Sequence, residues 1–129
     1  MSEIRLIQAP ELPVPGGHYS PAVVHGGVVY ISGQLGRGPG MTDSEAGDVR
    51  AQVRRALNAI EALLRASGTS SSRLLKVNVY IADISLWSLV NDEYAQFMGE
   101  QRPARAVIPT STLHFGALVE IDAIAALSG

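Results

Sequence analysis

The sequence predicts an α+β fold with a single mixed β-sheet, in the element order β-β-β-α-β-α-β-β. Two β-rich runs flank Gly26-Gly27, and a glycine pair between such runs indicates a hairpin, because tight hairpin turns need positive φ angles. Residues 48–67 then repeat apolar side chains at helical spacing, and residues 74–84 alternate as a strand does. At 129 residues the chain has the length of one ordinary domain, so we expect a single domain over residues 1–129.

The first part of the chain is predicted to contain three strands, at Ile4–Ile7, Ala22–His25 and Val28–Ser32. Residues 33–47 follow as a predicted loop. Three glycines and a proline within residues 36–40 favour irregular backbone there.

Two helices are predicted in the middle of the chain. The first covers Asp48–Ser67, and Gly68 supplies the expected stop, because glycine readily adopts the left-handed conformation that ends helices. The second runs from Ser85, which has the residue type of an N-cap, to Met98.

Three further strands complete the predicted sheet, at Leu74–Ile84, Arg105–Pro109 and Ala117–Leu127. Alternation along the first of these assigns one apolar face to Leu75, Val77, Val79 and Ile81.

Two helices cover only one face of a sheet of this size. The other face would expose apolar residues such as Tyr30 and Tyr80. Burial against other subunits is the simplest way to remove such a face from water, so we expect a homo-oligomer.

Composition excludes several classes of function. The chain has no cysteine, which excludes disulfides, thiolate nucleophiles and zinc fingers. A net charge of -2 argues against nucleic acid as a partner. The N-terminus lacks the pattern of a signal peptide, and no apolar stretch approaches the ~20 residues that span a bilayer, so we expect a cytoplasmic protein without membrane contact.

No cofactor or metal site is predicted. The three histidines, His18, His25 and His114, are scattered and form no recognisable ligand motif. The glycine-rich segment lacks the Lys-Ser/Thr pair of a phosphate-binding loop, and Ser32 lacks the glycine pattern of a nucleophile elbow.

Three charged residues near the C-terminus are candidates for chemistry. Arg105 begins a strand just after a proline, where a guanidinium can offer two parallel donors to a carboxylate; the alternative is an ordinary strand-edge arginine. Glu120 and Asp122 lie two apart in a predicted strand and therefore share a face. A solvated sheet face or a salt bridge at a subunit contact is the alternative interpretation of these two acids.

Six segments in order, spanning about Pro15 to Ala126, resemble the Rid (YjgF) family. They are Gly17-His18-Tyr19-Ser20-Pro21-Ala22, Val29-Tyr30-Ile31-Ser32-Gly33-Gln34, Leu75-Lys76-Val77-Asn78-Val79-Tyr80, Val90-Asn91-Asp92-Glu93-Tyr94, Arg102-Pro103-Ala104-Arg105-Ala106-Val107 and Val119-Glu120-Ile121-Asp122-Ala123-Ile124-Ala125. The resemblance implies a chorismate-mutase-like α+β fold that assembles as a homotrimer, with active sites in clefts between subunits.

The resemblance also implies roles for individual residues. Arg105 would pair with the substrate carboxylate, and Glu120 would hold the attacking water, with a peptide carbonyl near Val107 as the water's second acceptor. The archetypal members carry a cysteine at the position of Val107 and commonly a proline at the position of His18. These two departures indicate a divergent subfamily with a different or broader substrate.

Three more residues match pocket positions of the family. Tyr19 would line the pocket from a neighbouring subunit, and Ser32 and Asn91 would have supporting roles. From the residues alone, Tyr19 is a loop aromatic and Asn91 a polar helix residue.

The implied function is the hydrolysis of reactive 2-imino or enamine acids, similar to 2-aminoacrylate, to 2-oxo acids and ammonia without a cofactor. An imine carbon is already electrophilic, so placing water, moving a proton and orienting the substrate suffice. Two alternatives remain open: a non-catalytic trimer that binds small 2-oxo acids or other carboxylates, and a pathway-specific hydrolase or isomerase on the same fold.

Overall fold

The computed structural model describes residues 3–127, and six strands in these residues form one sheet in the order β1-β2-β3-β6-β4-β5. The strands are β1 (Arg5–Ile7), β2 (Ala22–His25), β3 (Val28–Leu35), β4 (Leu74–Ile81), β5 (Ala104–Pro109) and β6 (Val119–Ala126). The pair β4–β5 is parallel and the other neighbouring pairs are antiparallel. The predicted α+β class with a single mixed sheet is confirmed.

The two predicted long helices are present and cover the same face of the sheet. They are α2 (Val49–Ser67) and α3 (Trp87–Met98). Asp48 caps α2 by accepting a hydrogen bond from the N–H of Ala51, and Gly68 ends it at φ 92°. The inward side chains of α2 and of the central strands form one buried apolar core on this side of the sheet.

A third, short helix corrects the predicted loop at residues 33–47. Helix α1 covers Asp43–Ala46, where Thr42 and Glu45 form a capping box. Strand β3 also continues past Ser32 to Leu35, because a register shift between Ile31 and Gln34 lets it pair again with β6. The sequence shows glycines here, but tertiary pairing across a bulge extends the strand.

Two details around β4 also differ from the prediction. Leu75 is 50% exposed and does not join the apolar face, because a register shift between Leu74 and Lys76 inserts one extra residue. Strand β4 ends at Ile81, not at residue 84, and a 3₁₀ turn precedes α3. The carboxylate of Asp83 accepts from the N–H of Ser85 and caps this turn. Helix α3 itself begins at Trp87 without a side-chain cap, so Ser85 is not its N-cap.

The face of the sheet opposite the helices is left uncovered within one chain. Tyr30 is 48% exposed there, and the same face presents Asn78, Tyr80, Glu120 and Asp122. The predicted uncovered face is therefore present. Between residues 3 and 127, no helix has both the length and the apolar character needed to cross a membrane.

A candidate active site in two halves

Arg105 lies on strand β5 and faces helix α3. It stands beside Val77 of β4, whose side chain belongs to the buried core, so both side chains are on the helix-covered face. One guanidinium N–H donates to the Oδ1 of Asn91 at 2.8 Å. The guanidinium carbon lies 4.9 Å from the ring centre of Tyr94 and 5.8 Å from that of Trp87.

The guanidinium of Arg105 has no acidic partner within 4.0 Å among the described residues. Four other arginines, at positions 37, 50, 54 and 65, form ion pairs with aspartate or glutamate. Neutral groups thus hold Arg105 in place while its charge stays available. Such a guanidinium can receive a carboxylate through two parallel N–H donors.

A cleft of about 370 Å³ opens beside Arg105. Its lining residues are Asn91, Tyr94, Ala95, Met98, Gly99, Gln101, Arg102, Pro103 and Arg105. Arginines at positions 102 and 105 are its only charged side chains, which favours an anionic occupant. Val107 follows Arg105 on the same face of β5 and packs partly against the core.

Glu120 lies on strand β6 and faces away from the helices. It pairs with Tyr80 of β4, two positions from Asp122 on the same face. Asp122 accepts hydrogen bonds from Asn78 at 2.9 Å and from the Tyr80 hydroxyl at 3.0 Å. Within residues 3–127, by contrast, the carboxylate of Glu120 makes no hydrogen bond or ion pair. Of the two acids on this face, Glu120 is the one free to bind water or substrate.

The environment of Glu120 makes it a stronger base than an ordinary glutamate. Partial burial raises its pKa most, the negative charge of Asp122 raises it further, and His114 partly opposes both effects. The carboxylate lies against Gly33, at the bulge of β3. A side chain larger than glycine at position 33 would meet it directly.

Ser32 belongs to the same half as Glu120, and the segment that carries Tyr19 is bound to it. Ser32 lies in the bulge of β3 next to Gly33, and its hydroxyl donates to the carbonyl of Ser20 at 2.7 Å. Its N–H donates to the carbonyl of Pro21 at 2.9 Å, which ties the 19–21 segment to the bulge. Tyr19 is exposed at the start of this segment.

The six candidate residues thus separate into two groups, and one chain does not bring Arg105 and Glu120 into a shared cavity. Arg105 pairs with Val77, which in turn pairs with Ala123 of β6. Because Glu120 is three positions from Ala123, its side chain points to the opposite face of the sheet. The group around Arg105 contains Asn91 and Val107. The group around Glu120 contains Ser32, and Tyr19 is linked to this group only through the backbone of residues 20 and 21.

Sequence reasoning missed three residues that shape these halves. Trp87 and Tyr94 contact Arg105. Their spacing of four and three residues from Asn91 could have indicated that all three share one face of α3. Gly33 allows the close approach of Glu120, but only the register of β3 against β6 reveals that contact.

A larger cleft lies elsewhere in the described part of the chain. It measures about 880 Å³ and is bounded by residues 11–16, residues 34–41, and helix α2. Tyr19 is on its lining, but neither Arg105 nor Glu120 is. We place the candidate chemistry at Arg105 and Glu120, because the four arginines that line this cleft already bind carboxylates or backbone carbonyls.

Comparisons with known proteins give the family. A family model described as Endoribonuclease L-PSP matches residues 9–127. A RutC family protein of Pyrococcus horikoshii is 38% identical over 113 residues, which cover 88% of this chain and 90% of that protein. The 2-iminobutanoate/2-iminopropanoate deaminase of Capra hircus is 39% identical over 121 residues, covering 94% of this chain and 88% of the relative.

Solved structures agree with these sequence relatives. The Rid family protein YyfA of Yersinia pestis superposes with a TM-score of 0.87 at 34% identity, over 97% of this chain and 100% of that chain. The structure of E. coli TdcF with bound serine gives a TM-score of 0.86 at 31% identity, over 96% and 99% of the two chains. The chain therefore belongs to the Endoribonuclease L-PSP family, which is the Rid (YjgF) family that its motifs resemble.

Proposed function

We propose that this chain is an imine deaminase that hydrolyses small 2-imino acids, and the enamines that tautomerise to them, to 2-oxo acids and ammonia. The observation that supports this most is the free carboxylate of Glu120, whose pKa is raised by burial. Relatives named 2-iminobutanoate/2-iminopropanoate deaminase support the same chemistry, at 39% identity for the goat protein and 34% for the human one.

The reaction needs one water molecule and no other reagent. The Glu120 carboxylate removes a proton from water as the water oxygen bonds to the imine carbon, and the C=N bond becomes a C–N single bond. The proton is then delivered to the nitrogen. The carbinolamine then collapses: its hydroxyl proton passes to the nitrogen, the C–N bond breaks, and ammonia leaves as the C=O bond of the 2-oxo acid forms. Arg105 binds the carboxylate next to the reacting carbon throughout.

We further propose a homotrimer in which Arg105 of one subunit and Glu120 of the next act on the same substrate. The two side chains lie on opposite faces of one sheet, so a single chain cannot aim both at one small molecule. The uncovered face with Tyr30 favours burial by another subunit. Tyr19 and Ser32 would contribute with Glu120, and Asn91 and Val107 with Arg105.

Mixed oligomers test both parts of the proposal. Arg105→Ala and Glu120→Gln are each expected to abolish ammonia release from a 2-imino acid generated in situ. In oligomers assembled from equal amounts of the two variants, about a quarter of the sites receive both wild-type residues, so about a quarter of the wild-type activity should return. Activity no higher than that of the separate variants would contradict a shared site. A wild type that accelerates hydrolysis of no short aliphatic imino acid would refute the deaminase itself.

A second candidate is a non-catalytic binder of small carboxylates. The relative E. coli TdcF, solved with bound serine, favours it. Saturable binding of 2-oxobutyrate without any turnover of imino acids would select this alternative. The endoribonuclease named in the family description is less favoured, because a chain of net charge -2 lacks the overall basic excess that nucleic-acid binders usually carry.

A further inference from the structure

Helix α3 presents three side chains to Arg105 on one of its faces. Trp87, Asn91 and Tyr94 are spaced four and three residues apart, which places them on the same side of the helix. The Asn91 amide oxygen accepts from Nη1 at 2.8 Å, and the two rings lie 5.8 Å and 4.9 Å from the guanidinium carbon. Both ring distances are within the range of cation–π attraction.

These contacts fix the guanidinium without neutralising it. A guanidinium has five N–H donors, and Asn91 uses one of them. Aromatic rings attract a cation through their faces, and they occupy none of its in-plane donors with a counter-charge. Among the described residues no aspartate or glutamate lies within 4.0 Å of Arg105. An acidic side chain bound to Arg105 would compete with an incoming carboxylate for the guanidinium donors, whereas the aromatic rings leave those donors free.

The ring of Tyr94 contributes more to this arrangement than its hydroxyl does. The hydroxyl is buried and has no hydrogen-bond partner within the described part of the chain. Tyr94 is only 7% exposed, so a bound substrate could not reach the hydroxyl without rearrangement of the site. The ring face, in contrast, is directed at Arg105.

We propose that Trp87 and Tyr94 are positioning residues whose ring faces hold the Arg105 guanidinium at a fixed orientation, so that its free edge binds the substrate carboxylate. This inference rests on the proposed function in assigning Arg105 to the carboxylate. The two rings set the affinity for the anion, and Glu120 performs the proton transfer. Loss of a ring therefore weakens binding and leaves the chemical step nearly unchanged.

Paired variants separate the effect of the aromatic ring face from the effect of losing the rest of the side chain. Trp87→Leu and Tyr94→Leu remove the π face, and each is expected to raise KM by about three- to thirtyfold with kcat within about twofold. Trp87→Phe and Tyr94→Phe keep a ring and should leave KM within about threefold of the wild type. Trp87 is 39% exposed, so replacing it with leucine should disturb the fold less than the same change at Tyr94. Thermal unfolding is measured to establish that each variant is folded.

Trp87 is the one tryptophan of the chain, so its fluorescence gives a direct readout of binding. Titration with 2-oxobutyrate should change the emission saturably in the wild type and in Glu120→Gln, and not in Arg105→Ala. Butan-2-one, which lacks the carboxylate, is the matched control and should produce no change. For Trp87→Leu, calorimetry replaces fluorescence and should give a Kd for 2-oxobutyrate raised by about the same factor as KM.

The outcomes distinguish this inference from the proposed function. If the wild type turns over imino acids and both leucine variants keep the wild-type KM, the positioning role of the rings is refuted and the deaminase proposal is supported. Binding of 2-oxobutyrate that depends on Arg105 and on both rings, without hydrolysis of any imino acid, would support the positioning role of the rings and refute the deaminase. Absence of any 2-oxobutyrate binding, or a Tyr94→Phe defect equal to that of Tyr94→Leu, overturns the proposed role of the rings.

Discussion

Replacing Gly33 with alanine tests whether the position of the Glu120 carboxylate controls activity. A Cβ at position 33 would lie 3.0 Å from Cδ and 3.3 Å from Cγ of Glu120, and closer still to Oε2. Carbon atoms in comfortable contact are about 3.5–4.0 Å apart, so the carboxylate must move. Gly33 is not among the residues of positive φ, so alanine adds no backbone strain at this position.

The structure predicts a small change in stability and a large change in rate. Alanine in place of glycine stabilises by about 0.4–1 kcal/mol through the unfolded chain. A side chain forced about 30° from its preferred rotamer costs about 0.5–1.5 kcal/mol, so the free energy of unfolding should change by no more than about 1 kcal/mol. Misplacing a catalytic group by about 1 Å costs on the order of 100-fold in rate, equivalent to about 2.7 kcal/mol in the barrier.

The assay is ammonia release from a 2-imino acid generated in situ, with thermal unfolding measured on the same samples. Gly38→Ala is the matched control, because a Cβ there would meet only the Met41 methyl carbon, at 3.9 Å. We expect kcat to fall about 100-fold in Gly33→Ala and to stay at the wild-type value in Gly38→Ala. A folded Gly33→Ala protein with wild-type kcat would show that the carboxylate position seen here does not govern the reaction.

Three further predictions follow from the charges. Asp122→Asn removes a negative charge that raises the pKa of Glu120, so the acid limb of the kcat/KM profile should move to lower pH; an unmoved limb would contradict this electrostatic coupling. Glu120→Gln should raise Tm at about pH 7 and not at about pH 3, because a carboxyl whose folded pKa is raised loses its contribution to stability as pH rises through that pKa. Glu93, 6% exposed, pairs with Arg54 at 2.9 Å and Arg50 at 3.4 Å, so Glu93→Gln should lower the free energy of unfolding in urea by about 1–3 kcal/mol; a loss below about 0.5 kcal/mol would contradict a stabilising role.

Elements with local signals could be predicted from the sequence. Gly26 and Gly27 adopt φ of 57° and 79°, as the glycine pair between two β-rich runs indicated. Helix α2 begins after Asp48 and ends before Gly68, close to its predicted bounds. In both cases the residues that determine the structure are neighbours in the chain.

Elements that depend on distant partners could not be predicted. The continuation of β3 beyond Ser32 needs β6 as a partner, nearly ninety positions farther along the chain, so the glycines around it indicated a loop. Leu75 fits an alternating pattern in the sequence, yet the register shift against β6 turns it outwards. A bulge of one residue reverses every inference drawn from alternation beyond it.

The faces of Arg105 and Glu120 follow from this same dependence on register. Alternation within β6 correctly placed Glu120 and Asp122 on one face, but nothing within β5 or β6 fixes how Arg105 is aligned with them. That alignment passes through β4, where Val77 joins Arg105 to Ala123, three positions from Glu120. A slip of one residue between any two of these strands would bring the guanidinium and the carboxylate to the same face.

The placement of Arg105 and Glu120 on opposite faces of the sheet has a consequence for catalysis. An Arg105 directed at α3 and a Glu120 directed away from it can act on one small imino acid only if the uncovered face of one chain meets the β5 edge of another. Under the shared site proposed above, a monomer would be inactive, since each chain would supply only half of every site. Dilution that dissociates the subunits should therefore remove activity in proportion to the loss of the oligomer, even while each chain keeps its own sheet and core. A chain with both groups on one face would show no such dependence, so the concentration dependence of specific activity follows directly from the register of three strands.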